Sequence, residues 1–172
     1  PMDINTATWN ARSIFRKKLE FINFLEEEKI DVIAVTETHL QPHMSFNLPN
    51  HSFIRLDRQT TQGGIAVHRD VKFKTLTLPN TWFIEAAGIE IFTTQGNFKF
   101  FAAYCPKQAK DSDGTSAVLR QELRSLTNTS GHFIIAGDLN AKHQMPNAKY
   151  GAINEQTKMV RYCGKLRKMA GK

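Results

Sequence analysis

Two periodicities of apolar residues divide the first forty residues into a strand, a helix and a second strand. Residues 4–9 alternate between apolar and polar, and residues 31–37 contain the unbroken apolar run VIAV, typical of a strand covered on both faces. Between them Ser13 can cap a helix, whose apolar stripe repeats at steps of three and four. The stripe consists of Phe15, Leu19, Ile22 and Leu25. This order predicts two parallel strands joined by a right-handed crossover.

Short apolar runs separated by turn residues dominate the middle of the chain. They predict strands at 51–56, 64–68, 72–76, 85–92 and 99–104. The sequence Gln95-Gly96-Asn97 between the last two strands predicts a hairpin. Leucines between residues 119 and 126 mark a second amphipathic helix, and HFIIAGD at residues 132–138 is a further buried strand. Residues 160–169 have the composition of a basic helix.

The composition is that of an ordinary globular domain. Hydrophobic residues make up 41% of the 172 residues, which is enough for one domain with one core. No apolar run approaches the roughly 20 residues that span a bilayer, and the N-terminus lacks a signal-peptide pattern. Cys105 and Cys163 have no metal-binding spacing, and we expect Cys105 to be a buried thiol. We therefore expect an intracellular protein.

The net charge of +7 is concentrated at the end of the chain. Residues 1–141 hold 15 basic and 15 acidic side chains, whereas residues 142–172 hold eight basic side chains and one acid, Glu155. A block of this kind is either a polyanion-binding surface or a solvated chain end. Composition alone leaves both interpretations open.

Four predicted strands end in polar side chains that a core would not select. They are Asn10, Glu37, Tyr104 and Asp138, with Asn140 just beyond the last strand. Ligands collect at the carboxyl ends of strands in layered α/β folds, and oxygen ligands suit Mg²⁺. Such a site could neutralise the charge that develops on a phosphodiester and orient the attacking water. The set therefore predicts metal-dependent phosphodiester chemistry.

Each of these residues also has an ordinary structural interpretation when it is taken alone. Glu37 or Asp138 could cap a helix or form a surface ion pair. Asn10 could be a turn residue, and Tyr104 could pack at the edge of the core. Only the combination favours a functional site.

Five segments, in order and at sensible spacing, resemble the successive motifs of the endonuclease/exonuclease/phosphatase superfamily. They are ATWNARSI (7–14), VIAVTETHL (32–40), GGIAVHRDV (63–71), FFAAYCPK (100–107) and FIIAGDLNAKH (133–143). The pair YCP and GDLNAKH is most similar to the endonucleases of jockey-like non-LTR retrotransposons, which belong to reverse transcriptase polyproteins. The resemblance covers about residues 4–143.

The resemblance implies a four-layered α/β sandwich, with two β-sheets packed face to face and helices outside. It implies that Glu37 and Asn10 hold Mg²⁺ or Mn²⁺, and that Asp138, Asn140 and Tyr104 are the catalytic residues. Apurinic-site repair relatives have an acid where this chain has Arg12, which speaks against a repair enzyme.

The resemblance also suggests residues that contact the substrate, which would be DNA. We expect Arg12, His39 and His143 in this role, with His39 able to support the metal ligand Glu37. The implied function is a Mg²⁺-dependent endonuclease that nicks DNA in the nucleus and leaves a 3′-hydroxyl to prime reverse transcription.

Relatives end with a further acidic strand and a Ser-Asp-His motif, and residues 144–172 contain neither. We therefore expect residues 1–172 to form a single, incomplete domain with a basic, divergent tail at 144–172. An unpaired edge is expected at strand 99–104 or 132–138, and no nicking is expected from this chain. The alternative function is a non-catalytic nucleic-acid-binding remnant. A phosphatase for small phosphoesters or phosphoinositides is a third hypothesis, against which the jockey-like motifs and the basic tail argue.

Overall fold

The computed structural model describes residues 4–56, 63–105, 113–140 and 159–162, which form two β-sheets. The described strands are β1 (Thr6–Asn10), β2 (Val32–Thr36), β3 (His51–Leu56), β4 (Gly63–His68), β5 (Phe73–Thr75), β6 (Glu85–Thr93), β7 (Gly96–Tyr104), β8 (His132–Asp138) and β9 (Met159–Tyr162). Sheet A has the order β3-β4-β2-β1-β9, and sheet B has the order β5-β6-β7-β8. Helix α1 spans Lys18–Glu27 after a 3₁₀ turn at Phe15–Lys17, and helix α2 spans Asp113–Thr127. Neither described helix is long and apolar enough to cross a membrane.

The elements stack in four layers, as expected for the sandwich. Phe21 and Leu25 of α1 pack with Trp9 and Val35 on the outer face of sheet A. Leu119, Leu123 and Leu126 of α2 belong to a separate cluster on the outer face of sheet B. The third cluster lies between the sheets and takes side chains from both. Each sheet is therefore buried on two faces, which explains the unbroken apolar run of β2.

Two parallel strand pairs end at the candidate polar residues; the β1–β2 pair confirms the prediction from the sequence, and the β7–β8 pair was not predicted. β1 and β2 are parallel, with Asn10 opposite Thr36. β7 and β8 are parallel, with Tyr104 opposite Asp138. The predicted hairpin joins β6 to β7, although its turn is Thr94-Gln95 and Gly96 already pairs with Thr93.

The layer between the sheets becomes thinner toward one end. The side chains of β7 that point between the sheets are, in order, Phe98, Phe100 and Ala102, and those of β8 are Ile134 and Ala136. On β6 the inward residues Ile91 and Ile89 are likewise followed by Ala87. Large side chains therefore separate the sheets at one end, and small ones leave a cleft at the end where β7 and β8 finish.

The apolar stripe predicted for the first helix is wrong in its first half. Phe15 is 58% exposed and Leu19 is 77% exposed, whereas Phe21 and Leu25 are buried. Ser13 makes no capping hydrogen bond, because the chain reaches the helix through the 3₁₀ turn. The buried face was set by packing on Trp9, with which Phe21 stacks at 4.9 Å between ring centroids.

Three further expectations concern the later part of the chain. The basic helix predicted at 160–169 is wrong over residues 160–162, since β9 is a strand that pairs antiparallel with β1; residues 163–169 lie outside the described residues. Strand β7 is paired on both sides, whereas β8 has one described neighbour, β7. Cys105 is a buried free thiol, as expected.

Gly137 allows β8 to approach β7 immediately before Asp138. Its φ is +131°, and a Cβ there would overlap the carbonyl oxygen of Ala103. Gly131 also has a positive φ, +87°, but a Cβ there would meet nothing within 4 Å.

We expect Gly137→Ala to lower the free energy of unfolding by about 3 kcal/mol or more, and Gly131→Ala by about 1–2 kcal/mol. Urea denaturation of both variants measures the difference, and equal losses would refute the close-approach explanation.

Candidate active site

Polar side chains from both sheets meet at the thin end of the sandwich. Trp9 faces α1, so Asn10, the next residue on β1, faces sheet B. Asp138 alternates with inward-facing Ala136 on β8 and therefore faces sheet A. Glu37 follows the last residue of β2, and Tyr104 is the last residue of β7. The fold thus brings together residues that are scattered along the sequence.

The side-chain amide of Asn10 joins the two carboxylates. Its Nδ2 donates to Oε1 of Glu37 at 2.9 Å and to Oδ2 of Asp138 at 3.0 Å. Both carboxylates accept hydrogen bonds, so the NH₂ group must face them and the amide oxygen must point away. That oxygen, Asn10 Oδ1, is buried and has no hydrogen-bond partner among the described residues.

Asn140 fixes the second carboxylate from the opposite side. Its backbone N–H donates to Oδ1 of Asp138 at 2.9 Å. Its side-chain Nδ2 donates to the carbonyl oxygen of Cys105 at 2.8 Å, and the Cys105 N–H donates to the Asp138 carbonyl at 3.0 Å. Asp138 and Asn140 are therefore tied to the segment that follows Tyr104.

Tyr104 lies between two acids in the sheet register. It pairs with Glu85 on β6 and with Asp138 on β8. Burial raises the pKa of Tyr104 above its usual 10.0, and the negative charges of Glu37, Asp138 and Glu85 raise it further. The phenol is therefore neutral near neutral pH and can donate a hydrogen bond.

The backbone is strained where these residues sit. Seven non-glycine residues of the described ranges have positive φ, a conformation that costs energy outside glycine. Five of them cluster at this end of the sheets: Arg12, Ser13, Glu37, His39 and Asn140. The N–H groups of Ser13 and Ile14 donate to the carbonyls of Glu37 and Thr38, which holds the two loops together. Strain of this kind concentrates at functional sites.

The substrate-contacting residues expected from the sequence are placed as follows. Arg12 and His39 are both exposed, and each is two residues from Asn10 or Glu37. His143 lies outside the described residues. No described interaction assigns a role to Arg12 or His39, so their expected roles stay predictions.

The donor set fits a magnesium ion. No group of three His, Cys, Asp or Glu side chains suited to a transition metal occurs in the described ranges. Mg²⁺ instead needs one or two carboxylates, with water and substrate phosphate completing its shell. Glu37 supplies a carboxylate, and the unpartnered Oδ1 of Asn10 is an oxygen for which the described residues offer no donor.

Glu85 is a further acid that sequence reasoning missed. It starts β6, alternates with inward-facing Ala87, and lines the cleft together with Tyr104 and Thr36. A signal was available, because an acid opens the apolar strand EAAGIEI just as Asp138 closes HFIIAGD. Because β6 runs antiparallel to β7, the first residue of β6 meets the last residue of β7.

Sequence comparison identifies relatives of the chain. The model of the "Endonuclease/Exonuclease/phosphatase family" matches residues 7–156, which extends beyond residue 143, where the resemblance seen in the sequence ended. The chain is 29% identical over 140 residues to the RNA-directed DNA polymerase from mobile element jockey of Drosophila melanogaster. That match covers 78% of this chain but 14% of the relative, so the chain spans about a seventh of the relative's length.

Structural comparison identifies the same fold in solved proteins. The endonuclease domain of TRAS1, a telomere-specific non-LTR retrotransposon, has a TM-score of 0.61 at 16% identity, covering 81% of this chain and 61% of that domain. TDP2 of D. rerio, complexed with a single-strand DNA product, has a TM-score of 0.59 at 15% identity, covering 81% and 62%. At these identities the comparisons establish the fold.

The first prediction for the site tests the Asn10 amide bridge. Asn10→Ala removes the shared donor, and we expect it to lower the free energy of unfolding by about 1–2 kcal/mol. Asn10→Asp puts a third negative charge beside Glu37 and Asp138, so we expect about 1–2 kcal/mol of further loss at neutral pH. Mg²⁺ should reduce the difference in unfolding free energy between the two variants, because a bound cation offsets the added negative charge. Denaturation with and without Mg²⁺ measures both effects, and equal losses for the two variants contradict the bridge.

The second prediction concerns the ionisation of Tyr104. Since its folded-state pKa is raised above 10.0, its contribution to stability is complete below pH 10 and is lost as the pH rises through the folded-state pKa. Ultraviolet absorbance of tyrosinate should show one late-titrating phenol that Tyr104→Phe removes. Glu37→Gln should shift that titration to lower pH, because it removes the largest of the charge contributions. An unshifted titration in Glu37→Gln would place Glu37 too far from Tyr104 to act on it.

Proposed function

The chain belongs to the endonuclease/exonuclease/phosphatase family, and from this premise we propose that it is a Mg²⁺-dependent endonuclease that nicks DNA for a non-LTR retrotransposon. The observation that carries the proposal is the Asn10 amide held between Glu37 and Asp138. It brings together one acid from the end of each sheet. Few structural needs explain two carboxylates held side by side at the end of two strained loops.

The chain's own residues have distinct proposed roles in hydrolysis. Asp138, anchored by Asn10 and Asn140, is oriented to accept a proton from the attacking water or to hold that water in line. Tyr104 stays protonated and is suited to donate a hydrogen bond to a non-bridging phosphate oxygen. Asn140 contributes by fixing Asp138, so that little reorganisation is needed at the moment of reaction.

Glu37 and the carbonyl oxygen of the Asn10 side chain are the proposed metal ligands. A bound Mg²⁺ would neutralise charge on the phosphate and template its position. The structure supports the assignment through the unpartnered Asn10 Oδ1 and through the intermediate exposure of Glu37.

Nucleic acid is the proposed substrate because the surplus of positive charge in the sequence falls in residues 142–172. The stretch 142–172 carries eight basic residues, and its strand β9 pairs with β1 so that Met159 lies opposite Trp9, next to Asn10. Lys and Arg near a cleft attract the phosphate backbone without sequence preference. Arg12, exposed and adjacent to Ala11 on the loop after β1, is a further proposed phosphate contact.

The retrotransposon assignment rests on the kind of relatives found. The jockey relative is an RNA-directed DNA polymerase, and the TRAS1 neighbour is a retrotransposon endonuclease domain. An enzyme of this class acts on chromosomal DNA, so the proposed place of action is the nucleus. The proposed product is a nick with a 3′-hydroxyl.

The test is relaxation of supercoiled plasmid, with Mg²⁺ and with EDTA, by a version of the chain extended with the Ser-Asp-His motif that residues 144–172 lack. We expect Mg²⁺-dependent nicking from this version that Glu37→Gln and Asp138→Asn each reduce by at least about a hundredfold, because residues that act as a unit lose orders of magnitude when one is removed. Glu27→Gln, an exposed glutamate on α1, is the matched control and should leave nicking unchanged.

Two other outcomes have definite meanings. Plasmid binding that weakens steeply with salt, without nicking by any preparation, supports the non-catalytic nucleic-acid-binding alternative. Nicking that survives both substitutions refutes the residue assignment.

A further inference from the structure

Trp82 is exposed to an extent unusual for a tryptophan. Its side chain is 91% exposed, whereas Trp9 is fully buried and stacked on Phe21. An indole left in water does not contribute the stabilisation that burial of its large aromatic surface would give. A single exposed apolar residue can be incidental, so the position and the support of this residue decide whether it has a role.

The backbone beneath Trp82 is held unusually firmly for a loop. The carboxylate of Glu122 on α2, only 6% exposed, accepts hydrogen bonds from the backbone N–H groups of Trp82, Phe83 and Ile84. The Thr81 hydroxyl donates to the Ile84 carbonyl, and the Ile84 side chain is buried against Leu126. Burying a carboxylate is costly unless its hydrogen bonds are satisfied. Here the buried carboxylate of Glu122 holds the backbone of a loop that exposes the indole of Trp82 to solvent.

The loop emerges at the same end of the sheets as the candidate active site. β6 begins at Glu85, which pairs with Tyr104, and Tyr104 pairs with Asp138. Adjacent strands are roughly 4.8 Å apart and three residues span at most about 10 Å, so Trp82 lies within about 20 Å of Asp138. Single-strand rise is about 3.4 Å per nucleotide, so this distance corresponds to about six nucleotides or fewer.

We propose that Trp82 is a stacking platform for an unpaired or unstacked nucleobase of DNA bound at the active site, a few nucleotides from the cut phosphate. The inference rests on the proposed function and adds a substrate feature to it. An aromatic ring accepts any base, because every base has a π-face. The pre-ordered loop lowers the entropy lost on binding. DNA with a locally opened helix is therefore the preferred ligand.

The chain offers a direct spectroscopic test, since its sequence has two tryptophans and Trp9 is buried. A short labelled duplex with an unpaired bulge is added in EDTA, which prevents cutting. Binding is followed by fluorescence anisotropy of the label, and stacking by quenching of tryptophan emission. We expect quenching that Trp82→Phe abolishes, tighter binding of bulged than of fully paired duplex, and about tenfold weaker binding of the bulged duplex by Trp82→Ala.

Phe92→Ala is the matched control. Phe92 is 38% exposed and lies at the opposite end of the same strand, β6, where it pairs with Asn97. We expect its removal to leave DNA affinity and quenching unchanged. Trp82→Phe should retain most of the affinity, because it keeps an aromatic face. Thermal melting of each variant shows that an exposed substitution has not unfolded the chain.

The outcomes separate this inference from the proposed function. If DNA binds and is nicked but tryptophan emission is not quenched, the stacking role is overturned and the nuclease assignment is unaffected. The same follows if the Trp82→Ala variant binds the bulged duplex as tightly as the unsubstituted chain does. A chain that neither binds nor nicks DNA overturns both. A concentration-dependent change in tryptophan emission without DNA, lost together with self-association in Trp82→Ala, assigns the indole to a protein contact and also overturns the inference.

Discussion

The hydrogen bonds of the Asn10 amide are the interaction on which the arrangement of the site depends. Glu37 follows a strand of sheet A and Asp138 ends a strand of sheet B, and two carboxylates brought together repel each other. Asn10 places both N–H bonds of one amide between them. It can do so because β1 and β8 lie across from each other at the thin end of the sandwich. The amide therefore links the packing of the two sheets directly to the position of the charges.

The thin end has its own cause in side-chain volume. Along β6, β7 and β8 the inward residues shrink from Ile or Phe to Ala and then become polar. Gly137 lets β8 approach Ala103 at the last step before Asp138. Interiors are close-packed, so smaller residues at one end must either draw the sheets together or leave a cleft. Both happen here: Asn10 bridges the sheets, and the cleft beside it is lined by Thr36, Glu85 and Tyr104.

Apolar periodicity predicted the secondary structure well where burial in the core determines it, and poorly where hydrogen bonds of polar groups determine it. The positions of most strands along the chain, the parallel pair β1–β2 and the strand-end positions of Asn10, Tyr104 and Asp138 followed from apolar patterns, since burial on two faces leaves a strong signal. Phe15 and Leu19 fit a helical stripe equally well, but the 3₁₀ turn rotates them into solvent. Neither the strand β9 nor the three N–H groups bound by Glu122 could be predicted, because both depend on partners distant in sequence.

The same charges that make the site suitable for a cation also control its tyrosine. Glu37, Asp138 and Glu85 each raise the pKa of Tyr104, after the larger effect of burial. A phenol whose pKa is raised by burial and by nearby carboxylates remains protonated, and so remains a hydrogen-bond donor, at neutral pH. In the proposed reaction, one set of interactions therefore provides acceptors for a metal ion and a donor for a phosphate. Weakening the Asn10 bridge would disturb both properties together, because the positions of the carboxylates fix the field at Tyr104.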